Sequence, residues 1–229
     1  WAERWRRHEV TGDMVIVRYA DDIVVGFEHA ADARRFWDAM RQRLEEFALS
    51  LHPDKTRLIE FGRLAAVRRA QRGLAKPETF NFLGLTHICG RSRRGKFLLH
   101  RRSRRDRVRA KLKEIKEALR RRMHQPIPEQ GKWLGQVVRG FFAYHAVPTN
   151  GPALSAFRYH VTDLWRRTLR RRSQKDGLVW PRIAAIADHW LPKPLIRHPW
   201  PSARFAVKHP RWEPYALIGP VRICAGGGQ

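Results

Sequence analysis

The chain has little sulfur chemistry to offer: two cysteines, Cys89 and Cys224, in 229 residues. Two thiols so far apart exclude a dense disulfide framework and a Cys₄ zinc site, and they suit reduced structural thiols of a cytoplasmic protein. Long apolar runs are also missing. No stretch approaches the roughly 18 apolar residues of a membrane-spanning helix, so no membrane partner is expected. Acidic residues are scarce, with 21 Asp and Glu against 47 Lys and Arg, a formal net charge of +26. An excess of that size calls for a polyanion, and nucleic acid is favoured because the cations lie in periodic, aromatic-bearing segments. What is abundant is core material. Hydrophobic residues make up 43% of the chain and include nine Trp, enough for one large or two small cores and too much for a disordered basic tail.

The most informative stretch is Met14-Val15-Ile16-Val17-Arg18-Tyr19-Ala20-Asp21-Asp22-Ile23-Val24-Val25-Gly26-Phe27. Two β-branched runs flank adjacent carboxylates, which reads as a tight hairpin with Asp21 and Asp22 at or near its tip. Two like charges side by side repel and call for something positive. Mg²⁺ is the natural candidate, since it takes hard oxygen ligands from one or two carboxylates plus substrate phosphates. Side chains alternate along a strand, so the two carboxylates should not point alike, and one should dominate. An ordinary Asp-rich surface turn is the competing reading.

Residues Ala33, Phe36, Trp37, Met40, Leu44, Phe47 and Ala48 fall at helical spacing and predict a core-facing helix over 32–48, with Asp32 near its positive end. Leu51-His52-Pro53-Asp54-Lys55-Thr56 breaks it, and a strand resumes over 57–61. Residues 62–78 read as an exposed basic loop with one helical turn at most. Residues 80–88 predict one strand, followed by a polar turn at 91–96 and a return strand over 97–100. Gly84 would let another backbone approach closely, or mark a simple bulge.

Residues 91–122 hold sixteen Lys or Arg against three acids, half the net charge of the chain. Val108, Leu112, Ile115, Leu119 and Met123 mark an apolar stripe, so this is an amphipathic helix with a phosphate-binding ridge. Pro126-Ile127-Pro128 should end it, with a short linker at 129–131. A second helical stripe runs from Trp133 to His145, and a third helix from about Pro152 into Arg170-Arg171-Arg172. Arg166, Arg167, Arg170, Arg171 and Arg172 are the expected RNA contacts, because guanidinium forks match phosphate and stack on bases. His145 and His160 lack the spacing of a metal pair and read as packing or hydrogen-bonding residues. A short helix over 180–190 and a Pro-rich extended segment follow. Ala225-Gly226-Gly227-Gly228 is expected to form no element.

Tyr19-Ala20-Asp21-Asp22 resembles the active-site signature of reverse transcriptases, in particular those encoded by bacterial group II introns. Leu51–Thr56, Phe80-Asn81-Phe82-Leu83-Gly84 and Gly140-Phe141-Phe142-Ala143-Tyr144-His145 follow in the order that family shows. The resemblance implies an RNA-directed DNA polymerase that also assists intron splicing. It implies an α+β fold: the C-terminal half of a palm over 1–102, a helical thumb and maturase region over 103–175, and a nucleic-acid-binding extension over 176–229. Asp21 would be the main catalytic metal ligand and Asp22 an auxiliary one, in a two-metal Mg²⁺ site partly supplied by residues absent from this chain. Lys55 would lie near the incoming triphosphate, and Tyr19 and Ala20 would line the nucleotide site. Phe82, Leu83 and Gly84 would grip the primer end. Arg101, Arg102, Arg104, Arg105 and Arg109 would hold the template–primer duplex. Implied partners are intron RNA, template RNA, DNA primer and target DNA, and deoxynucleoside triphosphates, in a cytoplasmic, nucleoid-associated setting.

The family takes a further catalytic Asp and its fingers region from upstream of the residues present, so we expect a fragment that does not polymerise alone. The scarcity of cysteine excludes the Cys-bearing HNH-type endonuclease of some members. A non-catalytic RNA-binding splicing maturase would need the same basic helices but not the Asp pair. A retron or diversity-generating reverse transcriptase would share the palm but not Tyr144-His145 and residues 170–174.

Overall fold

A computed structural model describes residues 1–172 and 178–200 and the backbone of 222–226. Contacts divide the chain into two compact units, Trp1–His100 with Phe205–Gln229, and Arg101–Arg204.

In the first unit α1 (Ala2–His8) leads to β1 (Met14–Tyr19), which turns back at once into β2 (Asp22–Phe27), followed by α2 (Ala30–Glu45). The antiparallel register pairs Met14 with Phe27, Ile16 with Val25 and Arg18 with Ile23. Cross-strand partners share a face, so Met14, Ile16, Ile23, Val25 and Phe27 line up on one side. That side packs on Trp5, Ala33 and Phe36 of the two helices. Phe36 is the joint, with ring centroids 5.2 Å from Trp5 and 5.3 Å from Phe27. Truncating so buried an aromatic costs about 3–5 kcal/mol.

The chain continues through β3 (Arg57–Glu60), α3 (Ala65–Gln71), β4 (Phe80–Phe82), β5 (Leu85–Arg91) and β6 (Phe97–Ser103). Val24 and Ile59, from β2 and β3, pack with Phe61, Phe80, Phe82, Cys89 and Leu99, so β4-β5-β6 lies against the hairpin's second face. The stretch read as one strand over 80–88 is in fact two. Leu83 and Gly84 have φ of +47° and +69°, and Phe82 pairs with Leu85 across them. Two consecutive left-handed residues are what a two-residue type I′ bend requires, and Gly84 supplies one of them.

A further correction concerns the C-terminus. Of residues 225–228, expected to form no element, Ala225 and Gly226 instead end β7 (Arg222–Gly226), which pairs antiparallel with β2 on one side and β3 on the other, giving the order β1-β2-β7-β3, while 227 and 228 lie outside the described residues. Two flanking ladders satisfy its backbone, which outweighs the conformational freedom of its glycine.

The second unit is helical: α4 (Arg105–Arg121), α5 (Ile127–His145), α6 (Gly151–Arg170) and α7 (Trp180–Trp190). α5 starts six residues earlier than its apolar stripe predicts, because Pro128 in its first turn opens the helix instead of ending the previous one. Ile115, Leu119, Leu134, Val138, Phe142, Leu154, Phe157, Val161 and Trp165 form the core. Buried Gln130 ties it together, accepting from Trp165 Nε1 at 2.7 Å and donating to the Arg122 carbonyl at 2.6 Å. At Gly131 an added Cβ would lie 2.4 Å from the Trp190 ring, so only glycine lets α7 seat there.

A buried polar knot joins the end of β6 to α5 and α6. Asn150 accepts from Ser103 N at 3.0 Å and donates to Ser103 Oγ at 2.9 Å and to the His145 carbonyl at 2.7 Å, while His145 Nδ1 lies 3.0 Å from Ser103 Oγ. This is the hydrogen-bonding role expected of His145. Burial pushes its imidazole below the ordinary value, so the unfolded chain takes up the proton first. Stability from this site is complete above about pH 6.5 and is lost as pH falls towards the folded value. Urea unfolding at pH 7.5 and 5.5 should show a loss at low pH that His145→Gln reduces; an undiminished loss in the variant would remove the assignment.

Candidate active site and nucleic-acid interface

The bend between β1 and β2 contains only Ala20 and Asp21, with Tyr19 paired to Asp22. Of the two central residues only Ala20 has a positive φ, +54°, the pattern of a II′-type hairpin bend. A positive φ at a residue that carries a Cβ costs on the order of 1–3 kcal/mol. Arg18 Nε donates to the Ala20 carbonyl at 2.9 Å and pins the strained residue. Asp21 is exposed at the tip and Asp22 half-buried at the start of β2. Tyr19, 65% exposed, shares a face with Asp22 and with Val15 and Val17, whose side chains are also open.

Lys55 arrives at the same end of the sheet. Arg57 and Val24 pair across Ala225 from opposite sides. Lys55, in the turn two residues before Arg57, and Asp22, two residues before Val24, therefore lie towards the same end of the sheet. The turn that carries Lys55 is closed by Lys55 N and Thr56 N donating to the His52 carbonyl at 3.2 and 3.0 Å. Tyr19, Ala20, Asp21, Asp22 and Lys55 are thus gathered in one region. Phe82, Leu83 and Gly84 belong to the other sheet, where Phe82 packs into the core and the other two make the bend.

Asp32, read only as a dipole partner, is instead an anchor for the loop that enters β1. Its buried carboxylate accepts from Thr11 N at 3.0 Å, Thr11 Oγ1 at 2.9 Å and an Arg35 guanidinium nitrogen at 2.6 Å. Burial alone would raise its pKa, but the Arg35 and Thr11 hydrogen bonds outweigh it and hold the group below the usual value. Nothing in the spacing of Thr11 and Asp32 signals this contact, and Arg18 is likewise recognisable only once the bend is known.

Two hard carboxylate donors at an exposed tip fit Mg²⁺ in part, since that ion keeps several waters and takes substrate phosphate oxygens. Among the described residues no group of three or more His, Cys, Asp or Glu side chains could hold a metal ion. Asp21 and Asp22 would therefore be two of its ligands, with oxygens from elsewhere completing the set.

In the helical unit the predicted contacts separate by environment. Arg102, Arg105, Arg109, Arg170 and Arg171 are exposed, and so is Arg167, although its guanidinium pairs with Asp163 at 2.7 Å. Arg107, Lys113, Lys116, Arg120 and Arg121 extend the exposed cations of α4, and Glu114 engages Lys111. Arg101 is half-buried, its amide donating to Thr149 Oγ1 at 2.8 Å, and Arg104 makes a two-pronged pair with Asp106. Arg166 is internal in character: it binds Asp163 at 3.1 Å and its guanidinium lies 5.1 Å over the Trp180 ring. Arg172 donates to the Gln125 carbonyl, and burial lowers its pKa. These two serve the fold. Tyr159 and Trp180, both exposed and stacked at 5.2 Å, form an aromatic surface that helix periodicity assigns to nothing.

Residues 1–87 match a family model described as reverse transcriptase (RNA-dependent DNA polymerase). The matched span holds the Asp21-Asp22 bend, Lys55 and the Phe82-Leu83-Gly84 corner, and it supports a reverse transcriptase. No curated protein matches the chain.

Ala20→Gly relieves the backbone strain, less the entropy that glycine adds to the unfolded chain, for a net gain of about 0.5 kcal/mol, whereas Ala20→Val loses more than about 1 kcal/mol; denaturant midpoints measure both. Arg105→Ala or Arg109→Ala leaves the denaturant midpoint in place but lowers the slope of log affinity for RNA against log salt by about one each. Arg166→Ala does the reverse, lowering the midpoint while largely sparing the slope.

Proposed function

We propose that this chain is part of a group II intron-encoded reverse transcriptase and maturase, contributing the carboxylate hairpin of the palm and a basic helical unit that holds intron RNA and the template–primer duplex. The observation that carries the polymerase reading is the strained Tyr19-Ala20-Asp21-Asp22 bend, within the reverse transcriptase match, with Lys55 at the same end of the sheet. The reaction is attack of a primer 3′-hydroxyl on the α-phosphate of a deoxynucleoside triphosphate, directed by an RNA template.

Each residue has a role under this reading. Asp21 and Asp22 would hold Mg²⁺, which when bound polarises phosphoryl oxygens and offsets their charge. Tyr19, on the same face as Asp22, offers a ring edge to the nucleotide. Lys55 neutralises the pyrophosphate as it departs and gives it a proton. Exposed Arg105, Arg109, Arg167, Arg170 and Arg171 neutralise phosphates and fix register without reading sequence. Tyr159, exposed and backed by the Trp180 ring, gives the same unit a surface on which an unpaired RNA base can stack.

The test is Mg²⁺-dependent primer extension on an RNA template, using the chain fused to its upstream coding sequence, because the resemblance places a further catalytic carboxylate there. Asp21→Ala should abolish extension, a loss of at least a thousandfold, while RNA affinity stays within twofold. Lys55→Ala should slow incorporation by 10²–10⁴, the usual contribution of a general acid. Extension that survives Asp21→Ala refutes the catalytic assignment. If the fused protein and its variant both bind structured intron RNA and neither extends, the enzyme reading is withdrawn in favour of a splicing maturase.

A further inference from the structure

A pocket of about 560 Å³ opens in the first unit at the end of β3 opposite Lys55. Its walls come from the loop after β3, the start of α3, the 76–79 segment and the β5-β6 hairpin, elements far apart in sequence. Among the described residues three cations stand on it, Arg63, Lys76 and Arg91, and no acid does. None of these three has a carboxylate partner among the described residues. The remaining lining is largely apolar, with Pro77, Ile88 and Phe97 presenting flat or branched surface.

The pocket is held in shape before any ligand arrives. Cys89 Sγ accepts from Gly62 N at 3.3 Å, tying the loop after β3 to the floor strand, and the Cys89 side chain also packs into the core with Phe61 and Phe80. Its size lies within the 300–1,000 Å³ typical of small-molecule sites. Three cations with no carboxylate partner among the described residues, on a lining that is otherwise largely apolar and includes an aromatic ring, suit a ligand that is anionic at one end and flat at the other.

We propose that this pocket binds one phosphorylated nucleotide, its phosphate against Arg63, Lys76 and Arg91 and its base against Phe97 and Pro77. The nucleotide is either free or one unit of a single strand laid across the surface; the chemistry of recognition is the same, since cationic grooves and aromatic floors take every base. The site lies at the opposite end of β3 from Lys55 and does not depend on what the carboxylate hairpin catalyses.

Cys89 reports occupancy directly. With Cys224→Ser removing the other thiol, the rate of Cys89 alkylation by N-ethylmaleimide is followed by mass spectrometry on the full chain, alone and with saturating dATP, a twelve-residue single-stranded DNA, or tripolyphosphate. Burial raises the Cys89 pKa, so mildly alkaline buffer brings the reaction into range. Either dATP or the oligonucleotide should slow alkylation at least fivefold, and which of them does so identifies the source of the nucleotide. Arg63→Glu with Lys76→Glu, or Arg91→Glu alone, should remove the protection, while Arg34→Glu with Arg41→Glu, a matched charge change on α2, should keep it. Equal protection by tripolyphosphate would reduce the site to an anion cradle and overturn the nucleotide assignment. So would an absence of protection, or protection that survives both pocket variants.

Discussion

The two-residue bend at Ala20-Asp21 sets the register of β1 against β2, and that register decides what every side chain of the hairpin does. A slip of β2 by one residue would turn Phe27 and Val25 away from the helices and bring Val24 and Asp22 under them. With the bend as it is, one face receives Trp5 and Phe36 and the other receives Ile59, Phe61 and Phe80. Asp22 then necessarily falls on the second face, beside Tyr19, and Asp21 is carried clear of both. The carboxylates are displayed by a part of the sheet that is packed on both sides a few residues away, which is how a flexible pair of acids becomes a fixed one.

Much of this was legible in the sequence because the signals were local and periodic. The hairpin announced itself by two β-branched runs around a charged pair, and α2, α4 and α6 by apolar stripes at helical spacing. The corner at Leu83-Gly84 was not legible, because apolar residues on both sides hide a bend whose only requirement is two left-handed residues. Pro126 and Pro128 misled in the opposite sense: proline stops a helix from inside and starts one from its first turn, and the two cases share one composition. β7 and the pocket at Arg63, Lys76 and Arg91 were out of reach for a different reason, since both are made by segments that meet only after folding.

The arginines give the same lesson in electrostatic form. Arg105 and Arg166 are the same residue on helices of the same unit, and composition treats them alike. Arg105 stands in solvent, where its charge is available to a phosphate, whereas Arg166 is already engaged by Asp163 and Trp180. What separates them is the position of α7, whose Trp180 lies over Arg166. A charge count therefore bounds the strength of the polyanion interaction, and packing decides which cations take part.

The surplus of 26 positive charges also bears on the carboxylate tip. A field of that sign repels a bare divalent cation and attracts an anion. A nucleoside triphosphate carrying one Mg²⁺ remains negative, so it is drawn to the protein as a complex while the metal alone is opposed. On the proposed reading Asp21 and Asp22 are therefore suited to receive a metal that arrives with its phosphates rather than to store one in advance. That accounts for two carboxylates at an exposed tip in place of a closed cage of donors. It also accounts for a lysine, Lys55, at the same end of the sheet: a group that would oppose a lone cation favours a triphosphate that brings its cation with it.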